Sequence, residues 1–404
     1  MSKNKSDYRP RLDGKKFHWE SLIKRVKHLG LKNSVDLLYG ASSMTDEEIV
    51  SENIKLARQK QAHQDKNRIA NKSFRESSRI ISAIQALHEA MYERLAAIPM
   101  KTKRKPYKIE VSSGIIVLQI SDAHMNELID VQTNKFDFKI ASKRFQLLAH
   151  EVKQYAKWKK TNKLKIAFGG DLINSDRRVD EKLSMATNRA NATLLAIELL
   201  LLFLDDLADE MNITCSSVTG NESRTGDELG WSYMLATDNY DTIIYGALSI
   251  LYKDDARFTF MPMAANEVLF SAHGKNFLSV HGHQLKGNVQ KSVQELIGKF
   301  SNRGVVVDYV LAGHIHSAYV SDYFSRNSSI CGSNAYSEEA LNFVSKASQN
   351  MHYVEQTGRI HSTKIDLQEV GDIPGYDIDD NCNCYHAKSL SKTKQLTVIH
   401  QVVI

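Results

Sequence analysis

Five short polar turns in this 404-residue chain hold residues that bind divalent cations, and each turn follows an apolar run. Residues 115–124 read Ile-Ile-Val-Leu-Gln-Ile-Ser-Asp-Ala-His, which predicts a strand buried on both faces with Asp122 and His124 at its exit. The pattern recurs in Phe-Gly-Gly-Asp171 and Val-Thr-Gly-Asn221, and again in Leu-Ser-Val-His281-Gly-His283 and Leu-Ala-Gly-His314-Ile-His316. A glycine before the ligand lets the backbone turn sharply and come close to a metal. Carboxylate, imidazole and amide groups with no cysteine among them suit two first-row cations sharing one carboxylate.

For such residues to meet, their strands must end on the same edge. In open α/β sheets, ligands bind at the carboxyl ends of the strands. The periodicity from residue 109 supports this, since apolar runs alternate with helical stretches. Strands are predicted at 115–120, 163–168, 213–219, 277–280 and 305–311, and helices at 139–158, 181–211, 229–252 and 289–300. After His316 the pattern is rich in strands, at 318–324, 329–331, 351–356 and 359–367. Residues 371–384 read as an acidic loop, and 396–404 as a last edge strand.

The series Asp-x-His, Gly-Asp, Gly-Asn, His and Gly-His-x-His, in this order and each after an apolar strand, resembles the calcineurin-like metallophosphoesterase superfamily. The resemblance spans residues 115–316. It implies an α/β fold in which two mixed sheets form an αββα sandwich, the late strands supplying the second sheet. It also implies a first metal held by Asp122, His124, Asp171 and His316. A second would be held by Asn221, His281, His314 and the bridging Asp171. Manganese is the expected ion, with iron, zinc, nickel or cobalt as alternatives.

The chain departs from the family at one point. Relatives usually read Gly-Asn-His-Asp/Glu, whereas here the order is Gly220-Asn221-Glu222-Ser223-Arg224. Glu222 therefore stands where a histidine would handle the phosphate or the leaving group. Arg224 could pair with Glu222 or grip the phosphate itself. His283, two residues from the ligand His281, is the preferred substitute acid. The expected catalytic residues are thus His283, Glu222 and Arg224.

Charge separates the chain into unlike parts. Residues 1–108 carry 24 Lys/Arg against 12 Asp/Glu, a balance of +12, and the remainder carries 29 against 35, a balance of −6. Residues 19–29, 33–40 and a long polar stretch reaching 98 have helical spacing, with Thr45 and Glu48 as a capping box. The basic run between Pro99 and Pro106 reads as a linker. Three segments are expected: a basic helical N-terminal domain or arm (1–108), a metallophosphoesterase domain (109–370) and a C-terminal extension (371–404). A basic segment on a mildly acidic body suggests a polyanionic partner.

The expected function is a metal-dependent phosphoric ester hydrolase, most specifically a phosphodiesterase or nuclease that cleaves nucleic acid with water activated between two metals. The alternatives are a phosphomonoesterase or protein phosphatase using the same metals, and a non-catalytic metal-binding scaffold. A protein partner or homo-oligomer is compatible with either. No apolar run is long enough to span a bilayer, the start shows no secretory h-region, and four cysteines make no disulfide framework. The expectation is a cytoplasmic protein without membrane contact. A helical leader before a phosphoesterase is also reminiscent of bacteriophage proteins, which would place it in the host cytoplasm.

Overall fold

The computed structural model describes residues 8–10, 16–18, 51, 54–68, 71, 114–177, 179–226, 229 and 232–390. The chain divides into two units, Met1–His88 and Glu89–Ile404. In the first, Tyr8–Pro10 pairs antiparallel with Lys16–His18, and residues 54–68 form a helix whose side chains are almost all exposed. The expected helices at 19–29 and 33–40, the capping box at Thr45, the linker at 99–106 and the strand at 396–404 lie outside the described residues.

The second unit is built on two mixed sheets. Its strands are β1 (Gly114–Ile120), β2 (Lys163–Phe168), β3 (Asn212–Ser217), β4 (Phe258–Phe260), β5 (Glu267–Ala272), β6 (Lys275–Val280), β7 (Tyr309–Ala312), β8 (Tyr319–Val320), β9 (Phe324–Arg326), β10 (Ser348–Glu355) and β11 (Ile360–Asp366). One sheet has the order β11-β10-β1-β2-β3-β4, and the other β8-β9-β7-β6-β5. β1 through β4 run parallel, while β10 is antiparallel to both β1 and β11. In the second sheet β6, β7 and β9 run parallel, flanked by antiparallel β5 and β8.

The two sheets face each other through Val117, Ala167 and Val354 on one side and Phe270, Phe277, Tyr309 and Leu311 on the other. Helices cover the outer faces. Phe145 of α1 (Phe138–Lys159) meets Phe203 of α3 (Arg189–Ala208) at 5.2 Å between ring centroids, with α2 (Val179–Ser184) preceding α3. On the other sheet, Leu278, Val280, Val310 and Phe324 bury Val293 and Leu296 of α6 (Val289–Ser301). The result is the expected αββα layering. It explains why β1 is apolar apart from Gln119, whose amide is satisfied by Ala312 O and Ser325 Oγ, since one face meets the helices and the other meets the second sheet.

Two expected helices are each interrupted by an asparagine cap. Asn188 ends the break between α2 and α3 by accepting from the Asn191 N–H. Asn239 starts α5 (Tyr240–Leu251) after the single turn of α4 (Tyr233–Ala236). An asparagine oxygen that satisfies a free helix N–H makes a new start cheaper than continuing. β4 and β5 fall outside the strands that the sequence pattern predicts, although the turn joining β5 to β6 is marked by His273 and Gly274, both at positive φ. Residues 329–331 are a buried loop rather than a strand, and Asp379–Cys384 forms a short helix, α7, where a loop was expected.

Candidate metal centre

All five turns end at the same edge of the sandwich, and two groups of ligand atoms converge there. Asp122, His124 and His316 form one, and Asp171, His281 and His314 the other. The loops after β1 and β2 are laced together: Asp122 N–H donates to Gly170 O at 3.0 Å, and His124 N–H to Asp171 O at 3.1 Å. Asp122, His124, Asp171, His314 and His316 all have φ between 45° and 72°. Non-glycine residues avoid this region, and a cluster of them stays there only where the surroundings over-determine the backbone.

Hydrogen bonds fix which atom each ligand presents. His281 Nδ1 donates to Gly169 O at 2.7 Å, which leaves Nε2 as a lone-pair donor. That atom stands 3.0 Å from Asp171 Oδ2 and 2.8 Å from Asn221 Oδ1. Asp171 Oδ1 already accepts from the N–H groups of Glu222 (2.7 Å) and Ser223 (3.1 Å). In the other group, His124 Nδ1 bonds Asn174 Oδ1, and its Nε2 lies 3.0 Å from His316 Nε2. His316 Nε2 is 3.4 Å from Asp122 Oδ1. Each group therefore points several lone pairs at one small space, an arrangement that repels itself unless a proton or a metal cation lies among them. The donor set fits two divalent metals.

The titration of these groups reports the same field. Burial disfavours a charged His281, but Asp171 more than offsets this and raises its pKa to about 10. Burial also opposes ionisation of Asp171, and His281 and His124 overcome it, holding the carboxyl far below its usual range. The site thus draws positive charge to where the ligand atoms meet.

The residues expected to act on the substrate are placed differently from one another. Glu222 is engaged at both oxygens. Its Oε2 pairs with Arg177 at 2.5 Å, and its Oε1 accepts from Asn221 Nδ2. That second bond turns the Asn221 amide so that its oxygen faces His281. Its ion-pair partner is Arg177, whereas Arg224 donates to the Asn221 carbonyl. His283 sits beside the second group, 5.6 Å from His281 and 6.3 Å from His314 between ring centroids. Burial, reinforced by His281 and His314, depresses its pKa to about 3.

Sequence reading missed three supports. Asn174 orients His124, and Asn126 clasps it by accepting from Asn174 N–H at 2.7 Å and donating to Asn174 O at 2.8 Å. The Gly169 carbonyl orients His281. Asp241 is fully buried behind the second and third turns, where burial and the nearby Asp171 push its pKa up to about 6. Only the first of these left a trace in the sequence, as an asparagine three residues after Asp171.

No family model and no curated protein matches the sequence. Among solved structures, Vps29 from Entamoeba histolytica complexed with zinc is similar at 11% identity, covering 63% of this chain and 99% of its own, with a TM-score of 0.30. A predicted phosphoesterase from Streptococcus pneumoniae is similar at 11% identity over 63% of this chain and 99% of its own, with a TM-score of 0.26. A purple acid phosphatase from yellow lupin seeds is similar at 11% identity over 73% of this chain and 59% of its own, with a TM-score of 0.29. The family resemblance rests on the chain's own features. Two facing mixed sheets bring its ligand motifs, in their order along the chain, to one edge.

Proposed function

We propose that this protein is a two-metal phosphoester hydrolase and that its substrate is the phosphodiester backbone of nucleic acid. The observation that carries the hydrolase reading is the convergence of two ligand groups at one sheet edge. Asp122, His124 and His316 would hold one ion and Asn221, His281 and His314 the other, with Asp171 shared. Bound divalent metals would polarise the phosphoryl oxygens and make a water nucleophile available near neutral pH. The carboxylate and amide oxygens suit manganese and the imidazoles suit zinc, iron or nickel, and manganese is the ion proposed.

The chain's own residues have separate tasks in this reading. Glu222, held by Arg177, orients the Asn221 oxygen. Arg224 adds positive charge next to the turn that carries Asn221, where a phosphate would need neutralising. His283 lies beside the second ligand group, and to protonate a leaving oxygen it would need a bound phosphate to lift its pKa from about 3. Support for nucleic acid comes from the +12 balance of residues 1–108. Among the described residues, no helix is long and apolar enough to cross a membrane.

The test is a substrate panel with Mn²⁺: bis-p-nitrophenyl phosphate, p-nitrophenyl phosphate and labelled DNA and RNA. Diester and nucleic-acid cleavage above monoester cleavage is the expected result. Preference for the monoester would favour the phosphatase reading, and metal binding with no turnover of any ester would favour the scaffold. Nucleic-acid binding by the full chain should also weaken steeply between 50 and 200 mM salt through counterion release, and salt-independent binding would overturn that part. His283→Ala separates two roles: a loss of about 10²–10⁴-fold confined to nucleic acid marks a proton donor, and equal loss on the nitrophenyl diester marks a positioning residue.

A further inference from the structure

We infer that Asp241 is a positioning residue that locks the turn carrying Asp171 to the turn carrying Asn221, and so sets the spacing of the metal ligands. The inference rests on the two-metal reading. Asp241 lies in the first turn of α5, and its carboxylate is completely buried. Its Oδ2 accepts from Asp171 N–H at 3.0 Å and from Gly220 N–H at 2.8 Å, and its Oδ1 accepts from Leu172 N–H at 3.0 Å. One carboxylate therefore bridges the backbones of two turns that are 50 residues apart in sequence. Hydrogen bonds to an ionised acceptor are roughly twice as strong as neutral ones. The position at a helix N-terminus also favours the negative charge.

Asn239 completes the lock. Its Oδ1 accepts from Asp241 N–H at 2.9 Å, and its Nδ2 donates to Gly220 O at 2.9 Å. Gly220 is thus held at both its N–H and its carbonyl by residues of the same helix start. There is no slack for it to move. A Cβ on Gly170 would meet Gly220 N at 2.3 Å, so the two turns already touch backbone to backbone. The first ligand group is tied in less directly, through Asp122 N–H to Gly170 O and His124 N–H to Asp171 O, with no bond to Asp241 itself among the described residues.

The test is calorimetric titration of Mn²⁺ into the full chain, together with thermal unfolding in chelator. The wild type should bind two ions. Asp241→Asn keeps the size but sets an amide NH₂ against at least one of three N–H donors. Affinity at the site that includes Asn221 should fall about 10–100-fold, the usual cost of losing an outer support of a metal ligand, and affinity at the other site should fall less. A purely structural role would lower the melting temperature and leave the affinity of the folded protein unchanged, which would overturn the inference. If Asp241→Asn does not fold, Asn239→Ser decides: serine keeps the helix cap and removes the donor to Gly220. Weaker binding at the same site supports the lock, and wild-type affinity overturns it. Absence of metal binding in the wild type would instead remove the two-metal reading itself.

Discussion

Gly220→Ala should disable the metal centre by adding one methyl group. The Cβ would stand 2.0 Å from Asp171 Oδ1, 2.3 Å from Asp171 N and 2.5 Å from Asp171 Cγ. Ordinary contact begins at 3.4 Å, so roughly 1.4 Å of movement is needed at the oxygen. Neither partner can give it. Asp171 is held by the N–H groups of Glu222 and Ser223, and Gly220 by Asp241 and Asn239. Overpacking of this kind typically costs about 1–3 kcal/mol of stability. The effect on metal is larger, because ligand distances tolerate only about ±0.2 Å. Metal affinity should therefore drop at least 10-fold, with loss of Mn²⁺-dependent turnover. Gly246→Ala is the matched control. That glycine is inside α5 with nothing within 4 Å of its would-be Cβ, so alanine should stabilise by about 0.5–1 kcal/mol with metal binding unchanged. Calorimetric titration and thermal melts on both variants check this. Wild-type stoichiometry and affinity in Gly220→Ala would refute the argument that the two turns are rigidly opposed.

Asp171→Asn should weaken both metal sites and His316→Ala chiefly one, which metal analysis of the purified variants would show; two fully occupied metals in Asp171→Asn would rule out a shared carboxylate. Arg177→Met removes the partner of Glu222 and with it the hold on Asn221, so Mn²⁺ affinity should fall several-fold while stability drops by roughly 1–3 kcal/mol; unchanged affinity would count against Glu222 as the orienting group. His352 is buried between Ser325 and Ser362, and burial holds its pKa down to about 3 from 6.5. The unfolded chain takes up a proton below pH 6.5 that the folded chain refuses until about pH 3, so stability falls with pH across that window. The slope is about 1.4 kcal/mol per pH unit, or roughly 2–3 kcal/mol by pH 4.5. Urea unfolding of wild type and His352→Gln at pH 7 and 4.5 should show this extra loss in the wild type alone.

The candidate ligand residues and the strands that deliver them are legible in the sequence. A strand covered on both faces is almost wholly apolar, as β1 is apart from Gln119, and the polar run that follows marks its exit. Glycines before Asp171, Asn221 and His314 marked places where backbone must turn or approach closely. Helix breaks were less legible, because Asn188 and Asn239 look like ordinary polar residues until their oxygens are seen to cap a new start. What only the tertiary structure decided is how the ligands are held. Asp241 sits 70 residues from Asp171 and 21 from Gly220, and no spacing rule links a lone aspartate to two distant turns. The role of Glu222 is of the same kind. Its place beside Asn221 suggests a substitute acid, and only the structure shows both of its oxygens engaged, by Arg177 and by Asn221. Ligand identity is a property of local sequence, since it depends on residue type at a strand end. Ligand orientation depends on long-range hydrogen bonds, which form only when separate turns are packed against each other.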